Sequence, residues 1–335
     1  MFAEQSGFDW HEAPTASGTQ LPIAAKLRGR LAGLARRGVY LGTSSWKYPG
    51  WLGQVYQPAR YQARGKFSQK KFEQECLTEY AAVFPTVCGD FAFYQFPASQ
   101  LWERTFAQVS GGFRFSLKVP EDVTVQRFPD LPRYGRRAGT ENPDFMNAEL
   151  VRDRLLARLE RYRDKLGVLI FEFGTVHEGP MREPPQFVAR LDEMLAELPT
   201  DRYRFAVEVR NPSFLYSGDD YLACLRKHHV AHCLNGWTRM PSVAEQMGVP
   251  GVFTADHVVA RFLLRPGQTY QQAVEQFSPY EHIRDPYPPG REALHELIER
   301  CLAEQRLLFA FVNNRFEGNA IETIDLATEA RSALP

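Results

Sequence analysis

A single (β/α)8 TIM-type barrel is the fold this sequence predicts, and three observations predict it. Eight short apolar runs recur along the chain with helix-length segments between them. Residues alternate within those runs, so each strand has two faces. Most runs end in polar or aromatic residues, and in such barrels the groups that do chemistry project from the C-terminal ends of the strands. A doubly wound open sheet is the alternative, but no Gly-x-Gly-x-x-Gly follows a strand and no Gly-x-x-x-x-Gly-Lys-Ser/Thr occurs.

The first 38 residues stand apart from the barrel domain expected over 39–335. Residues 1–20 carry Glu4, Asp9 and Glu12 and lack a basic start before an apolar stretch, so they read as a loose arm and not as a signal peptide. A short basic helix is expected at 21–37. Strands follow at 39–43, 86–91, 113–119, 168–173, 204–210, 231–235, 258–264 and 307–312, with helices at 69–84, 99–108, 148–165, 185–198, 220–228, 291–305 and 320–333. The connection after the third strand, 121–147, is long and rich in Pro, Gly and Arg, and carries Arg127, Arg133, Arg136 and Arg137.

Lys plus Arg and Asp plus Glu both total 40, so no net field draws the whole molecule to nucleic acid or to an anionic membrane. Any anion site must be local. The five cysteines are scattered with no Cys-x-x-Cys, which argues against a disulfide framework or a zinc cluster and for reduced thiols in a cytoplasmic protein. No apolar run is long enough to span a bilayer. Of the eight histidines none falls at an expected strand end, and His228, His229 and His232 flank the start of strand six, so no metal is expected unless Asp90, Glu172 and Glu208 bind Mg²⁺ with water. No organic cofactor is expected.

The fifth run gives the sharpest candidate site. Phe205, Val207 and Val209 share one face, and Ala206, Glu208 and Arg210 share the other, which would put a carboxylate and a guanidinium into the barrel mouth. Glu208 is the expected acid/base group, with Glu172 from the fourth strand beside it. Lys118, Arg210 and Arg261, with Arg265 behind them, would hold an anionic group, unless the carboxylates alone neutralise them. Asp90 completes the charged set. Trp46, Tyr94 and Trp237 on mouth loops would stack a ring, the bland alternative being that they pack the loops down. Asn313 and Asn314 would orient a substrate or cap the last helix.

Four stretches carry a family resemblance: Gly42-Thr43-Ser44-Ser45-Trp46 with Tyr48 and Trp51; Phe93-Tyr94 with Pro97, Trp102 and Phe113 to Pro120; Ala206 to Arg210; and Phe311-Val312-Asn313-Asn314 with Gly318 and Ala320. On these residues the sequence resembles the YecE-like family, domain of unknown function 72, over roughly residues 39–330. The resemblance implies a TIM-type barrel with a site at its C-terminal mouth. The chain departs from the family pattern at Gly89-Asp90-Phe91-Ala92, at Glu172-Phe173-Gly174-Thr175, at Thr124-Val125 and at Arg261-Phe262-Leu263-Leu264, where amides and histidines are lost.

The resulting expectation is an enzyme, of hydrolase or isomerase type, acting on a small polar, anionic, phosphorylated substrate. Two alternatives stand beside it: a non-catalytic binder of nucleotides or single-stranded nucleic acid, and a glycoside-hydrolase-like barrel using Glu172 and Glu208. Oligomeric state is not legible.

Overall fold

A computed structural model describes residues 21–176, 179–216 and 220–329. The expected arm at 1–20 and the last residues of the expected final helix lie outside these. Eight parallel strands close into a barrel: β1 Val39–Thr43, β2 Thr86–Gly89, β3 Arg114–Lys118, β4 Leu166–Phe173, β5 Phe205–Val209, β6 Ala231–Gly236, β7 His257–Phe262 and β8 Leu307–Val312. Each pairs with its sequence neighbours, and β8 closes on β1 through Val39 opposite Leu308 to Thr43 opposite Val312. Helices cover the outside, so the strands are buried on both faces and read as near-continuous apolar runs.

The closure of β1 on β2 needs a glycine. A Cβ at Gly42 would sit 2.1 Å from the Thr86 carbonyl oxygen, so no side chain fits there. Gly50, in the loop after β1, is equally constrained: its Cβ would lie 2.2 Å from the Pro279 carbonyl oxygen. That loop is held by packing, with Trp51 buried against Tyr48, Tyr56 and Tyr80.

Helix starts follow local sequence chemistry. Ser68 caps the helix Gln69–Ala81, and Thr269 and Ser242 form capping boxes with Gln272 and Glu245. These two boxes open helices Tyr270–Phe277 and Val243–Met247, neither of them expected from the sequence. The expected helix at 21–37 is Pro22–Arg36, and it docks on the final helix Ala320–Thr328 through Lys26 and Arg30 to Asp325.

The connection at 121–147 is more ordered than its composition suggests. It holds short helical turns at Glu121–Thr124 and Pro132–Arg137 and a bridge between Arg127 and Glu141. The expected helix at 148–165 is a chain of α, π and 3-10 turns. All five cysteines are buried and free, and no helix among the described residues is long and apolar enough to cross a membrane.

Candidate functional site

Inside the barrel, Cys88, Val168, Ile170, Ala206, Ala231, Cys233, Val259, Phe309 and Phe311 form one apolar cluster. These residues fix which face of each strand points inward. Two residues further along the same strands, the same face carries Asp90, Glu172, Glu208, Asn235, Arg261 and Asn313, and on β3 the position is Lys118, two beyond Ser116. The apolar bore therefore ends in a polar layer at the C-terminal mouth.

The charged members meet. Lys118 Nζ lies 3.2 Å from Asp90 Oδ1 and 3.4 Å from Glu172 Oε2. Arg210 Nη2 lies 2.9 Å from Glu172 Oε1 in an ion pair, and Arg210 Nε donates to Glu208 Oε1 at 3.2 Å. Arg261 Nη1 donates to Glu172 Oε2 at 2.5 Å and also to Glu208 Oε2. Lys118, Glu172, Glu208 and Arg261 are all buried, and Glu208 has no exposed surface at all. β4 and β5 pair with Glu172 opposite Glu208, which places the two carboxylates side by side; Arg261 bridges them.

Charge balance sets the protonation states. Burial pushes the Glu172 carboxyl up, but Arg210, Lys118 and Arg261 outweigh it and hold the group well below the usual carboxylate range. Burial pulls the Lys118 ammonium down, yet Glu172 and Asp90 keep it above the ordinary lysine value. Burial likewise opposes the Arg261 charge and is overcome by Glu208. The layer sets three basic side chains, Lys118, Arg210 and Arg261, against three acidic ones, Asp90, Glu172 and Glu208.

Aromatic rings flank it. Lys118 Nζ sits 3.6 Å from the Phe93 ring centroid, and the Arg210 guanidinium lies 3.6 Å from that of Trp237. Tyr94 is 53% exposed at the rim, with the Arg133 guanidinium 5.0 Å from its ring. Arg133 and the Tyr134 hydroxyl both donate to Glu121, buried just past β3, which ties the arginine-rich connection to the mouth. Burial raises the Glu121 carboxyl, against the Tyr134 and Arg133 contacts.

Several expected site residues are engaged in packing or in holding loops. Trp46 is buried, edge-on to Phe91, with its carbonyl accepting from the Tyr56 hydroxyl, so it packs its loop and offers no stacking face to a ligand. Asn313 Oδ1 accepts from Arg315 N, and Asn314 Oδ1 accepts from Trp51 Nε1 and Ala320 N. Both asparagine carbonyls are thus occupied in holding the loop after β8. Arg265 lies beyond β7 and pairs with Asp285 at 2.8 Å, away from the charged layer.

Phe93, one of the residues that carry the family resemblance, is the ring under Lys118. One site residue escaped the sequence reading. Asn235, at the paired position beside Arg261, is fully buried with Oδ1 unpartnered, as is Arg261 Nε. The signal for Asn235 was its place two residues after Cys233 on an alternating strand. Asp90, Glu172 and Glu208 are the groups that could face a divalent cation, but Lys118, Arg210 and Arg261 already neutralise them.

Fold and mouth together define a TIM-type barrel with a charged layer at its C-terminal face. The chain belongs to the DUF72 family, described as a protein of unknown function, whose family model matches residues 40–332. Among solved structures, a DUF72 family protein from Enterococcus faecalis V583 is similar at 16% identity and a TM-score of 0.58, covering 88% of this chain and 96% of its own. A DUF72 family protein from Thermotoga maritima MSB8 is similar at 17% identity and a TM-score of 0.56, covering 87% of this chain and 99% of its own. At such identities the likeness speaks for the fold alone. No curated protein matches the chain.

Proposed function

We propose that this chain is an enzyme, of hydrolase or isomerase type and without a tightly bound organic cofactor, that acts on a small polar, anionic, phosphorylated substrate at the barrel mouth. The observation that carries this reading is the buried network of Lys118, Arg210 and Arg261 with Asp90, Glu172 and Glu208. Desolvating such ions costs several kcal/mol each, and apolar residues of similar volume are often as stabilising or more so. A network of this kind at the functional end of a barrel is better explained by chemistry than by stability.

Because the formal charges cancel, an anion enters by exchange. Asp90 is the partner placed to leave, since its side chain is 42% exposed while that of Lys118 is only 6% exposed. The anionic group of the substrate takes its place on Lys118 and reaches Arg210, whose fork suits planar, bidentate recognition. Drawing those cations away from Glu172 raises its carboxyl toward the range useful for proton transfer. The acid/base role first assigned to Glu208 therefore passes to Glu172. Glu208, closed off from solvent, holds Arg210 and Arg261 in place.

The alternatives fare less well. Arg261 Nη1 lies between Glu172 and Glu208, in the space a glycosidase needs for the sugar. A binder of nucleotides or single-stranded nucleic acid has the exposed Tyr94 and Arg133 in its favour. Against it, Trp46 and Trp51 are buried, Arg127 and Arg137 are paired with Glu141 and Asp122, and the net charge is zero.

A thermal-shift screen tests the reading, since a ligand bound by the native state alone raises the melting temperature. Sugar phosphates or other small phosphorylated compounds are expected to raise it, and Lys118→Ala and Arg210→Ala to abolish the rise. A rise with oligonucleotides alone would transfer the case to the binding module. A rise unchanged in both variants would put the anion elsewhere.

A further inference from the structure

Away from the mouth, three side chains of the types that bind zinc meet on the outside of the barrel. Asp192 lies on helix Pro184–Ala196; Cys224 lies on the neighbouring helix Asp220–Lys227, and His228 directly follows it. Cys224 and His228 are four residues apart, so one helical turn puts them on one face. His228 Nε2 is 2.7 Å from Asp192 Oδ1, the Cys224 thiol points at the same oxygen at 3.9 Å, and one ligand atom from each residue lies within 4.8 Å of the other two. Cys224 is buried, while the Asp192 side chain is 36% exposed, which leaves one side of the cluster open to solvent.

We propose that Asp192, Cys224 and His228 form a binding site for Zn²⁺, with the carboxylate, thiolate sulfur and imidazole Nε2 as protein ligands and solvent completing a tetrahedron. A mixed nitrogen, oxygen and sulfur set favours zinc over magnesium or calcium, which take oxygen ligands. Tetrahedral zinc, with bonds of ~2.0–2.3 Å, needs its ligands about 3.3–3.6 Å apart. Measured from Asp192 Oδ1, the imidazole must therefore move out by about half an ångström and the sulfur in by less, and the sulfur and imidazole, within 4.8 Å of each other, must close to the same tetrahedral spacing, movements that side-chain rotation on two neighbouring helices supplies.

Two groups compete with the metal. Lys227 Nζ lies 2.7 Å from both Asp192 oxygens, and its side chain is 61% exposed, so it can swing into water when the cation takes its place. Burial raises the Cys224 thiol to about 12, and the metal must displace that proton. Binding forms the zinc–sulfur bond and releases one thiol proton to the buffer, with no change of oxidation state. Affinity consequently falls as pH is lowered.

The test uses the full chain, reduced and chelator-treated, titrated with Co²⁺ and then with Zn²⁺. A thiolate-to-cobalt charge-transfer band in the near ultraviolet is expected at one equivalent, and is expected to be displaced by Zn²⁺. Cys224→Ser should abolish the band, and His228→Gln should weaken binding by at least roughly tenfold. Lys227→Gln, at an exposed position, should tighten binding several-fold. Absence of the band in both wild type and Lys227→Gln, or its survival in Cys224→Ser, would overturn the proposal, and neither result touches the mouth.

Discussion

Two layers of the same barrel bore, one residue pair apart, follow opposite rules. The lower layer holds Cys88, Ile170, Ala206, Cys233, Val259 and Phe311 in apolar contact. Two residues on, the same face of the same strands carries Asp90, Lys118, Glu172, Glu208, Asn235 and Arg261. Backbone geometry is continuous between them, so the fold does not demand the change. The lower layer is what closing a barrel requires, and the upper one is an additional cost that stability alone does not explain.

Removing one partner from the upper layer is the strongest way to break this contrast. Arg261→Ala leaves Glu172 and Glu208 side by side without their shared guanidinium, and a loss of about 3–5 kcal/mol in unfolding free energy is expected. Arg261→Met combined with Glu208→Met removes one charge of each sign and leaves Lys118 and Arg210 against Asp90 and Glu172. The double variant should recover most of that loss in urea denaturation. If it proves as unstable as the single one, the network contributes more than charge compensation and the contrast with the lower layer weakens.

A titratable group on the other face of β6 offers a second probe. Burial lowers His232 to about 4, and its Nδ1 lies 3.2 Å from the Tyr221 hydroxyl. The unfolded chain takes up the proton near the ordinary histidine value and the folded chain resists it. Stability is therefore full above about pH 6.5 and is lost as pH falls toward 4, by up to about 3 kcal/mol. Denaturation at pH 7.5 and 5.0 should show the loss in the wild type and a smaller one in His232→Gln. Equal losses in both would assign the acid sensitivity to groups other than His232.

Much of this was legible in the sequence, and for a stated reason. Strand alternation placed Glu208 and Arg210 on one face and fixed the parity of Lys118, Glu172 and Arg261, because a period of two survives any small error in strand ends. Loop residues gave no such handle. Trp46 and Tyr94 looked alike in sequence, yet one is buried under Tyr56 and Phe91 and the other stands at the rim, a difference decided by partners far along the chain. Pairing was illegible too: that Arg265 belongs to Asp285 and Asn314 to Trp51 depends on how loops fold back. Cysteine spacing weighed only cysteine against cysteine, so it could not show that Cys224 and His228 meet Asp192 on the next helix.

The smallest predicted effect sharpens the comparison most cleanly. Ile170 sits directly beneath Glu172 on β4, fully buried in the lower layer. Ile170→Val removes one methylene from a close-packed site and should cost about 0.5–1.5 kcal/mol, with no new charge or polar group exposed. Because the variant leaves every ion pair above it intact, any melting-temperature rise with a phosphorylated ligand should keep its wild-type size. The lower layer would then tune stability alone while the upper one governs binding. A diminished ligand response in Ile170→Val would mean that packing below positions the Glu172 carboxylate, and the two layers would have to be treated as one functional unit.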